Sequence, residues 1–141
     1  MTLPNKIYVL VLVFAFCIQC AVAQRASCED IANAEDFERV ELSRARLAPC
    51  GDSPENCALT ILQASDAKVT EKPATMQVFD LCENLFAVLA TFEVKDDDSV
   101  AGVRYRVEFN KNSEGKYEFV ALGRQYRCAR GRTGWSKELC P

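Results

Sequence analysis

The stretch Val103–Phe109 reads VRYRVEF, and apolar and charged side chains alternate along its whole length. Successive side chains of a β-strand point to opposite faces of the sheet, so this alternation predicts a half-buried strand with one apolar face. The polar segment that follows, Asn110–Gly115, predicts a turn. A second strand is predicted from Tyr117 toward Tyr126, with a bulge or bend at Gly123.

The residues before this pair also alternate, between Thr91 and Lys95. We therefore predict that Phe86–Lys95 is the preceding strand, and that the three strands form an antiparallel meander. The alternative for the same region is a helix that runs through Phe92, with Asp80 and Glu83 at its N-terminal cap.

A helix is predicted near residues 28–40. Ser27 and the acidic residues after it resemble a capping box. One helical face then carries the apolar side chains Ile31, Ala34, Phe37 and Val40. The predicted fold class is α+β, a small disulfide-stapled domain in which this N-terminal helix packs on the β-meander.

The segment between the helix and the meander is less regular. Val40–Leu47 either extends the helix or forms a short strand, and Pro49 ends either one. Ala58–Leu62 is a short apolar run, which predicts a strand. Ala67–Ala74 contains Pro73 and is interpreted as a loop.

The N-terminus has the pattern of a signal peptide. Lys6 precedes an apolar run from Ile7 to Ile18, and Ala21-Val22-Ala23 is typical of a cleavage site. The run is shorter than the roughly twenty residues that a membrane-spanning helix needs. We predict cleavage after Ala23, which leaves residues 24–141 as a single domain that is secreted or periplasmic. An uncleaved membrane anchor is the alternative.

Six cysteines follow the predicted cleavage site: Cys28, Cys50, Cys57, Cys82, Cys128 and Cys140. An even number in an exported chain implies disulfide bonds, and six cysteines allow fifteen pairings. Turn-forming residues between near neighbours favour Cys50–Cys57 and Cys128–Cys140, which leaves Cys28–Cys82. A metal site is not predicted, because the chain has no histidine and no C-x-x-C spacing after residue 23.

Charge is divided unevenly along the chain. Residues 24–98 carry 7 basic and 16 acidic side chains, whereas residues 99–141 carry 9 basic and 4 acidic ones. Such asymmetry bears on binding partners and not on the fold. The candidate ligand-binding residues are the arginines of the second half and the tryptophan near its end: Arg104, Arg106, Arg124, Arg127, Arg130, Arg132 and Trp135.

These residues suit an anionic ligand. Arginine binds phosphate, sulfate or carboxylate through two parallel hydrogen bonds from its planar guanidinium. Gly131 and Gly134 allow the backbone to approach a ligand, and Trp135 offers a flat face for stacking. The alternative is that the arginines solvate exposed strand faces and pair with acidic neighbours such as Glu108, while Trp135 covers the core.

The acidic segment Lys95–Ser99, KDDDS, allows two interpretations. It lacks the alternating oxygen ligands, the central glycine and the distal glutamate of an EF-hand calcium loop. A turn in which aspartate side chains accept hydrogen bonds from the backbone is the simpler interpretation, and a weak surface calcium site is the alternative.

The absence of histidine excludes Ser-His-Asp, Cys-His and histidine acid–base catalysis. We predict an exported binding module that engages an anionic glycan, an anionic surface or an acidic protein through its basic C-terminal loop. The alternatives are a carboxylate-dependent hydrolase of extracellular glycan and a structural envelope protein. No cofactor, no sequence-specific nucleic-acid binding and no membrane association after cleavage are predicted.

A helix against an antiparallel sheet in a disulfide-bonded exported chain resembles the architecture of cystatins. Their central Q-x-V-x-G loop is missing, and the nearest string is Gln77-Val78-Phe79-Asp80. The resemblance implies an architecture and no function.

Overall fold

The computed structural model describes residues 33–42, 47–65 and 71–141. Within these ranges one α-helix packs on a six-stranded antiparallel sheet. The sheet order is β1-β5-β4-β3-β2, and β6 also pairs with β5. In chain order the elements are β1 (Glu38–Arg39), α1 (Pro54–Ala64), β2 (Thr75–Asp80), β3 (Leu85–Glu93), β4 (Val100–Lys111), β5 (Tyr117–Cys128) and β6 (Trp135–Ser136).

The predicted meander is confirmed and is the centre of the sheet. β3, β4 and β5 follow one another in the chain and pair as antiparallel neighbours. The alternative helix through Phe92 is wrong, since Leu85–Glu93 is a strand. The β4–β5 turn forms because the Asn112 side chain accepts hydrogen bonds from the backbone N–H groups of Glu114 and Lys116.

The strand predicted at Ala58–Leu62 is wrong, because these residues lie in α1. The helix starts where Ser53 accepts a hydrogen bond from the N–H of Asn56, and Pro54 occupies the first turn. Its buried residues are spaced at helical intervals: Cys57, Ala58, Ile61 and Leu62. The apolar run alone did not distinguish the two structures, whereas the cap residues before it favour a helix.

The helix predicted over residues 28–40 is not found in the described part of that range. Ala34–Asp36 form a single 3-10 turn, Phe37 is extended with φ −99° and ψ 141°, and β1 follows. Residues 28–32, including the predicted capping box, lie outside the described residues. Of the two predictions for the stretch from Val40, extended backbone fits its start, because the Val40 N–H donates to the Leu122 carbonyl.

The bulge predicted at Gly123 is wrong in position. Gly123 pairs regularly with Arg106. The β4–β5 register shifts at two other places, between Val100 and Gly102 and where Glu108 pairs with Ala121 but Phe109 pairs with Phe119. Gly123 instead makes room for a ring, because a Cβ placed there would be 2.6 Å from the Cβ of Phe37.

The hydrophobic core lies between α1 and one face of the sheet. The helix contributes Cys57, Ala58, Ile61 and Leu62, and the strands contribute Val88, Ala90, Tyr105, Val107, Phe109 and Leu122. Leu62, Val88, Val107 and Phe109 have no exposed surface. Burying a side chain of this size stabilises the fold by roughly 1.5–3 kcal/mol. α1 therefore has the core-covering role that the sequence predicted for the N-terminal helix.

Two of the three predicted disulfide bonds are present. Cys50–Cys57 joins the start of α1 to the preceding segment, and Cys128–Cys140 joins the end of β5 to the C-terminal tail. Cys82 is also disulfide-bonded. Its predicted partner, Cys28, lies outside the described residues.

Strand β2 was not predicted. It contains the string Gln77–Asp80, which therefore lies inside a strand and not in a loop. The turn from β2 to β3 contains three successive non-glycine residues with positive φ, at Cys82, Glu83 and Asn84. The N–H of Lys111, in β4, donates to the Asn84 carbonyl, so β4 holds one end of this turn in place.

Candidate functional site

The candidate site lies on the sheet face opposite α1, here called the outer face. Tyr105 and Val107 of β4 point toward α1. Arg104 and Arg106 alternate with them and therefore lie on the outer face, as the sequence predicted. Residues that are directly opposite across strands share a face, so the partner of Arg104 in β5, Gln125, also lies there.

Trp135 of β6 covers one end of the outer face. It pairs with Arg127 across β5 and β6, and Arg127 in turn lies opposite Gly102 of β4. A Cβ on Gly102 would be 3.2 Å from the edge of the Trp135 ring, so the absence of a side chain at this position lets the indole lie close to the sheet.

Two arginines contact this ring. The guanidinium carbon of Arg104 lies 4.7 Å from the ring centroid of Trp135, and that of Arg127 lies 5.3 Å from it. Cation–π contacts of this length contribute about 0.5–1 kcal/mol at exposed sites and more where water is excluded. The structure thus brings together Arg104, Arg127 and Trp135, which we call the Arg–Trp cluster.

Arg104 is fixed from several sides. Its guanidinium carbon also lies 5.6 Å from the ring centroid of Phe37, and its Nε donates to Oε1 of Gln125 at 2.7 Å. The amide of Gln125 is held in turn, because its Nε2 donates to the Asp36 carbonyl at 2.8 Å. Burial lowers the pKa of Arg104 from its ordinary value, and the negative charge of Asp36 opposes this.

The other arginines of the C-terminal part are paired with acids. Arg127 donates to the Glu93 carboxylate. Arg130 lies 3.3 Å from Asp98 in an exposed pair. Arg132 binds Glu138 through both its carboxylate and its carbonyl, at 3.0 and 2.6 Å.

Two predicted site residues lie elsewhere. Arg106 is on the outer face but is only 4 % exposed, and its Nε donates to Glu108 at 2.7 Å. Arg124 lies on the α1 side of the sheet, where its Nη2 donates to the Glu38 carboxylate at 2.8 Å. Neither side chain is part of the Arg–Trp cluster.

The bulge in β5 explains why Arg124 and Arg104 are on opposite faces. Phe109 pairs with Phe119, and an unbroken register from that pair would place Arg104 opposite Arg124. The extra residue shifts the pairing by one position, so Gln125 takes that place. The sequence did not show the bulge, so it could not reveal that Arg104 and Arg124 lie on opposite faces.

Arg124 belongs to a separate cluster with two tyrosines. Its guanidinium carbon lies 5.0 Å from the ring centroid of Tyr126. Burial raises the pKa of Tyr105, and the charge and hydrogen bond of Arg124 oppose this. Burial also raises the pKa of Tyr126, again against the charge of Arg124.

The acidic segment before β4 is a turn. The Asp97 side chain accepts hydrogen bonds from the N–H groups of Ser99 and Val100, at 2.7 and 2.9 Å. These two bonds hold the pKa of Asp97 below its ordinary value. Among the described residues, no group of three or more His, Cys, Asp or Glu side chains is arranged to hold a metal ion.

Sequence reasoning missed Phe37, Gln125 and Asp36, which position Arg104. Gln125 could not be placed on the face of Arg104 without the bulge. Phe37 was assigned to the core face of a helix, whereas it packs on Gly123 at the outer face.

No family model, curated protein or solved structure matches this chain. Within the residues that the structure describes, no helix is both long enough and apolar enough to cross a membrane.

Proposed function

We propose that this protein is a small exported binding module, secreted or periplasmic, that engages an acidic ligand through the Arg–Trp cluster. The ligand class is a sulfate, phosphate or carboxylate group presented by a glycan, a surface or an acidic protein. The disulfide bonds support export, because such bonds persist in oxidising compartments.

The observation that carries the proposal is the environment of Arg104. Among the described residues, no carboxylate lies within hydrogen-bond distance of its guanidinium. Its Nε is held by Gln125, and its two terminal nitrogens are the donors left for a ligand. A planar guanidinium presents those donors in a geometry that matches an oxyanion.

The cluster is also held in place before a ligand arrives. Phe37 and Trp135 restrict the guanidinium of Arg104, and Gln125 fixes its orientation. Ordering a long side chain on binding costs about 0.5–1.5 kcal/mol, and a side chain that is already ordered avoids most of this cost. Arg104 is therefore better suited to binding than an arginine on a mobile loop.

Arg127 is the second donor in this proposal. Its bond to Glu93 is half-exposed, and exposed ion pairs contribute only about 0–1 kcal/mol. An acidic ligand that binds Arg104 beside Trp135 can therefore take over the Arg127 donors at small cost. Arg130 and Arg132 extend positive charge away from the cluster, although each already has an acidic partner.

The test is binding of the oxidised secreted protein to a sulfated polysaccharide and to an acidic peptide at low salt. Replacing Arg104→Gln removes one charge-assisted contact worth about 1.5–3 kcal/mol. We expect an affinity loss of about 10- to 150-fold, and weaker binding of the wild type as salt is raised.

Arg39→Gln is the matched control. Arg39 is a strand arginine with an exposed side chain, and its Nε lies 3.1 Å from Glu41. The control should bind as the wild type does. Wild-type protein that binds neither probe at low salt, or equal losses in the two variants, would contradict the proposal.

No described observation favours the hydrolase. Three described cavities lie beside Arg106, Leu47 and Leu81, and each is lined by a single carboxylate residue: Glu108, Glu118 and Glu83. Glycoside hydrolysis needs two carboxylates across one cleft.

A further inference from the structure

The two edges of the sheet differ in whether a further segment pairs with them. The edge of β5 that points away from β4 is paired with three short segments. Cys50 forms an isolated β-bridge with Tyr117 at the start of β5, β1 pairs with Gly123 and Arg124, and β6 pairs with Tyr126 and Arg127. The outer side of β2 pairs with no described strand.

Among the described residues, the outer edge of β2 also lacks the usual features that keep an edge strand from pairing. Its sequence, TMQVFD, contains no lysine and no proline, and it pairs with β3 in regular register over all six residues. Proteins commonly protect such an edge with a lysine, a proline, a bulge or a covering segment. Asp80, at the end of the strand, is its one charged residue.

The exposure of an apolar side chain in β2 also indicates an interaction at this edge. Val78 lies in the middle of β2 and is 39 % exposed. In the described part of the chain, the other large hydrophobic side chain that is exposed is Leu139, in the C-terminal tail. An apolar residue at the centre of an unpaired strand favours burial against a partner strand.

The direction of the backbone groups follows from the β2–β3 turn. The Leu81 N–H donates to the Leu85 carbonyl, so the backbone of Leu81 faces β3. The backbone groups of alternate residues in an antiparallel strand point to alternate sides. Met76, Val78 and Asp80 therefore direct their N–H and C=O groups away from the sheet.

We propose that β2 pairs antiparallel with β2 of a second copy of this chain, across a two-fold axis at Val78. This register places Val78 opposite its symmetry mate and Met76 opposite Asp80 of the other copy. It pairs all three residues whose backbone groups point outward with one another.

The charge pattern of the strand supports a second copy as the partner. Self-pairing about Val78 keeps the two Asp80 carboxylates apart, so no like charges are directly opposite. The β2 edges of the two copies offer each other matching N–H donors and C=O acceptors, and the two exposed Val78 side chains bury each other. The dimer extends the sheet of one copy into that of the other. It leaves the Arg–Trp cluster uncovered, because the cluster lies on β4, β5 and β6, away from the β2 edge.

Sedimentation velocity of the oxidised secreted protein over a range of concentrations tests this. We expect the wild type to change from monomer to dimer as concentration rises. Val78→Lys places two ammonium groups opposite each other at the axis, and we expect it to weaken dimerisation by at least about tenfold. Leu139→Lys makes the same change at the other exposed apolar residue and should dimerise as the wild type does.

A second variant separates pairing from folding. Met76→Pro removes an N–H that points away from β3, so the β2–β3 ladder keeps its bonds while the symmetric dimer loses two, one from each copy. It should be monomeric with an unchanged circular dichroism spectrum. A wild type that stays monomeric, or a Val78→Lys protein that dimerises normally, would overturn the proposal. Arg104→Gln should dimerise normally, which keeps this test independent of ligand binding.

Discussion

Two glycines on the outer face determine where two aromatic rings lie. Gly123 makes room for Phe37, and Gly102 makes room for Trp135. Both rings contact the guanidinium of Arg104. Among the described arginines, Arg104 is the one without a carboxylate partner, and its position therefore depends on two residues that have no side chain. Neither glycine has the positive φ that is found at Gly115, Gly131 and Gly134.

Gly123→Ala tests this packing. The added Cβ would be 2.6 Å from the Cβ of Phe37, so the ring and its backbone must shift. We expect the free energy of unfolding to fall by about 1–3 kcal/mol, measured by urea denaturation.

Gly51→Ala is the control for that change. A Cβ at Gly51 meets nothing within 4 Å. The control should be neutral or more stable by up to about 1 kcal/mol, because alanine restricts the unfolded chain. Equal losses of stability in the two variants would show that the contact between Gly123 and Phe37 contributes nothing.

Among the secondary-structure elements, the sequence predicted the strands in which apolar and polar side chains alternate, and it missed the two-residue strands. β4 alternates over the seven residues Val103–Phe109, and shorter alternating stretches at Thr91–Lys95 and at Tyr117–Phe119 indicated its two neighbours, β3 and β5. β1 and β6 contain two residues each, too few to show any period. β2 was missed because its apolar residues, Met76, Val78 and Phe79, do not alternate.

The candidate site was predicted in part for a related reason. Period-2 alternation placed Arg104 and Arg106 on one face correctly. The register between two strands is not encoded in either strand alone, and one extra residue in β5 decided which of its arginines would lie beside Arg104. Arg106 is only 4 % exposed, and strand periodicity indicates the face on which a side chain lies but not how deeply it is buried.

The C-terminal tail is an element whose closure can be tested. Cys128–Cys140 closes a loop of about a dozen residues, and such a bond contributes about 3 kcal/mol in the chain-entropy treatment. Replacing both cysteines with serine should leave the meander folded and expose the tail to trypsin after Arg130 and Arg132. Limited proteolysis with mass spectrometry measures the cleavage rate.

The oxidised wild type is the reference for that experiment, and circular dichroism checks the sheet. If the serine variant is cleaved no faster than the wild type, the contacts of Arg132 with Glu138 hold the tail without the disulfide.

For the whole molecule, we expect the two tyrosines on the α1 side of the sheet to make the free energy of unfolding fall at alkaline pH. The pKa values of Tyr105 and Tyr126 are raised in the folded state, chiefly by burial. An unfolded tyrosine has a pKa of about 10. Above that pH the unfolded chain loses these protons more readily than the folded one, so stability is complete below pH 10 and falls as the pH rises toward the folded pKa values.

We expect urea unfolding to show this loss above about pH 10 in the wild type. Tyr105→Phe removes one of the two titrating groups, so its free energy of unfolding should fall less steeply over the same interval. We expect the variant also to be less stable at neutral pH, because Arg124 loses its hydrogen bond with Tyr105. Parallel pH dependences in the two proteins would contradict this assignment.

The position of β5 in the sheet has a consequence for biosynthesis. Of the described long strands it is the last to leave the ribosome, yet β4, β1 and β6 all pair with it, and Cys50 forms an isolated β-bridge with its first residue. During synthesis β1 therefore lacks its partner until Arg124, which pairs with Glu38, has also been made. We expect the sheet to stay unformed until β5 has been made, the condition in which a translocation pore accepts a polypeptide, and to form slowly afterwards because its contacts join distant residues.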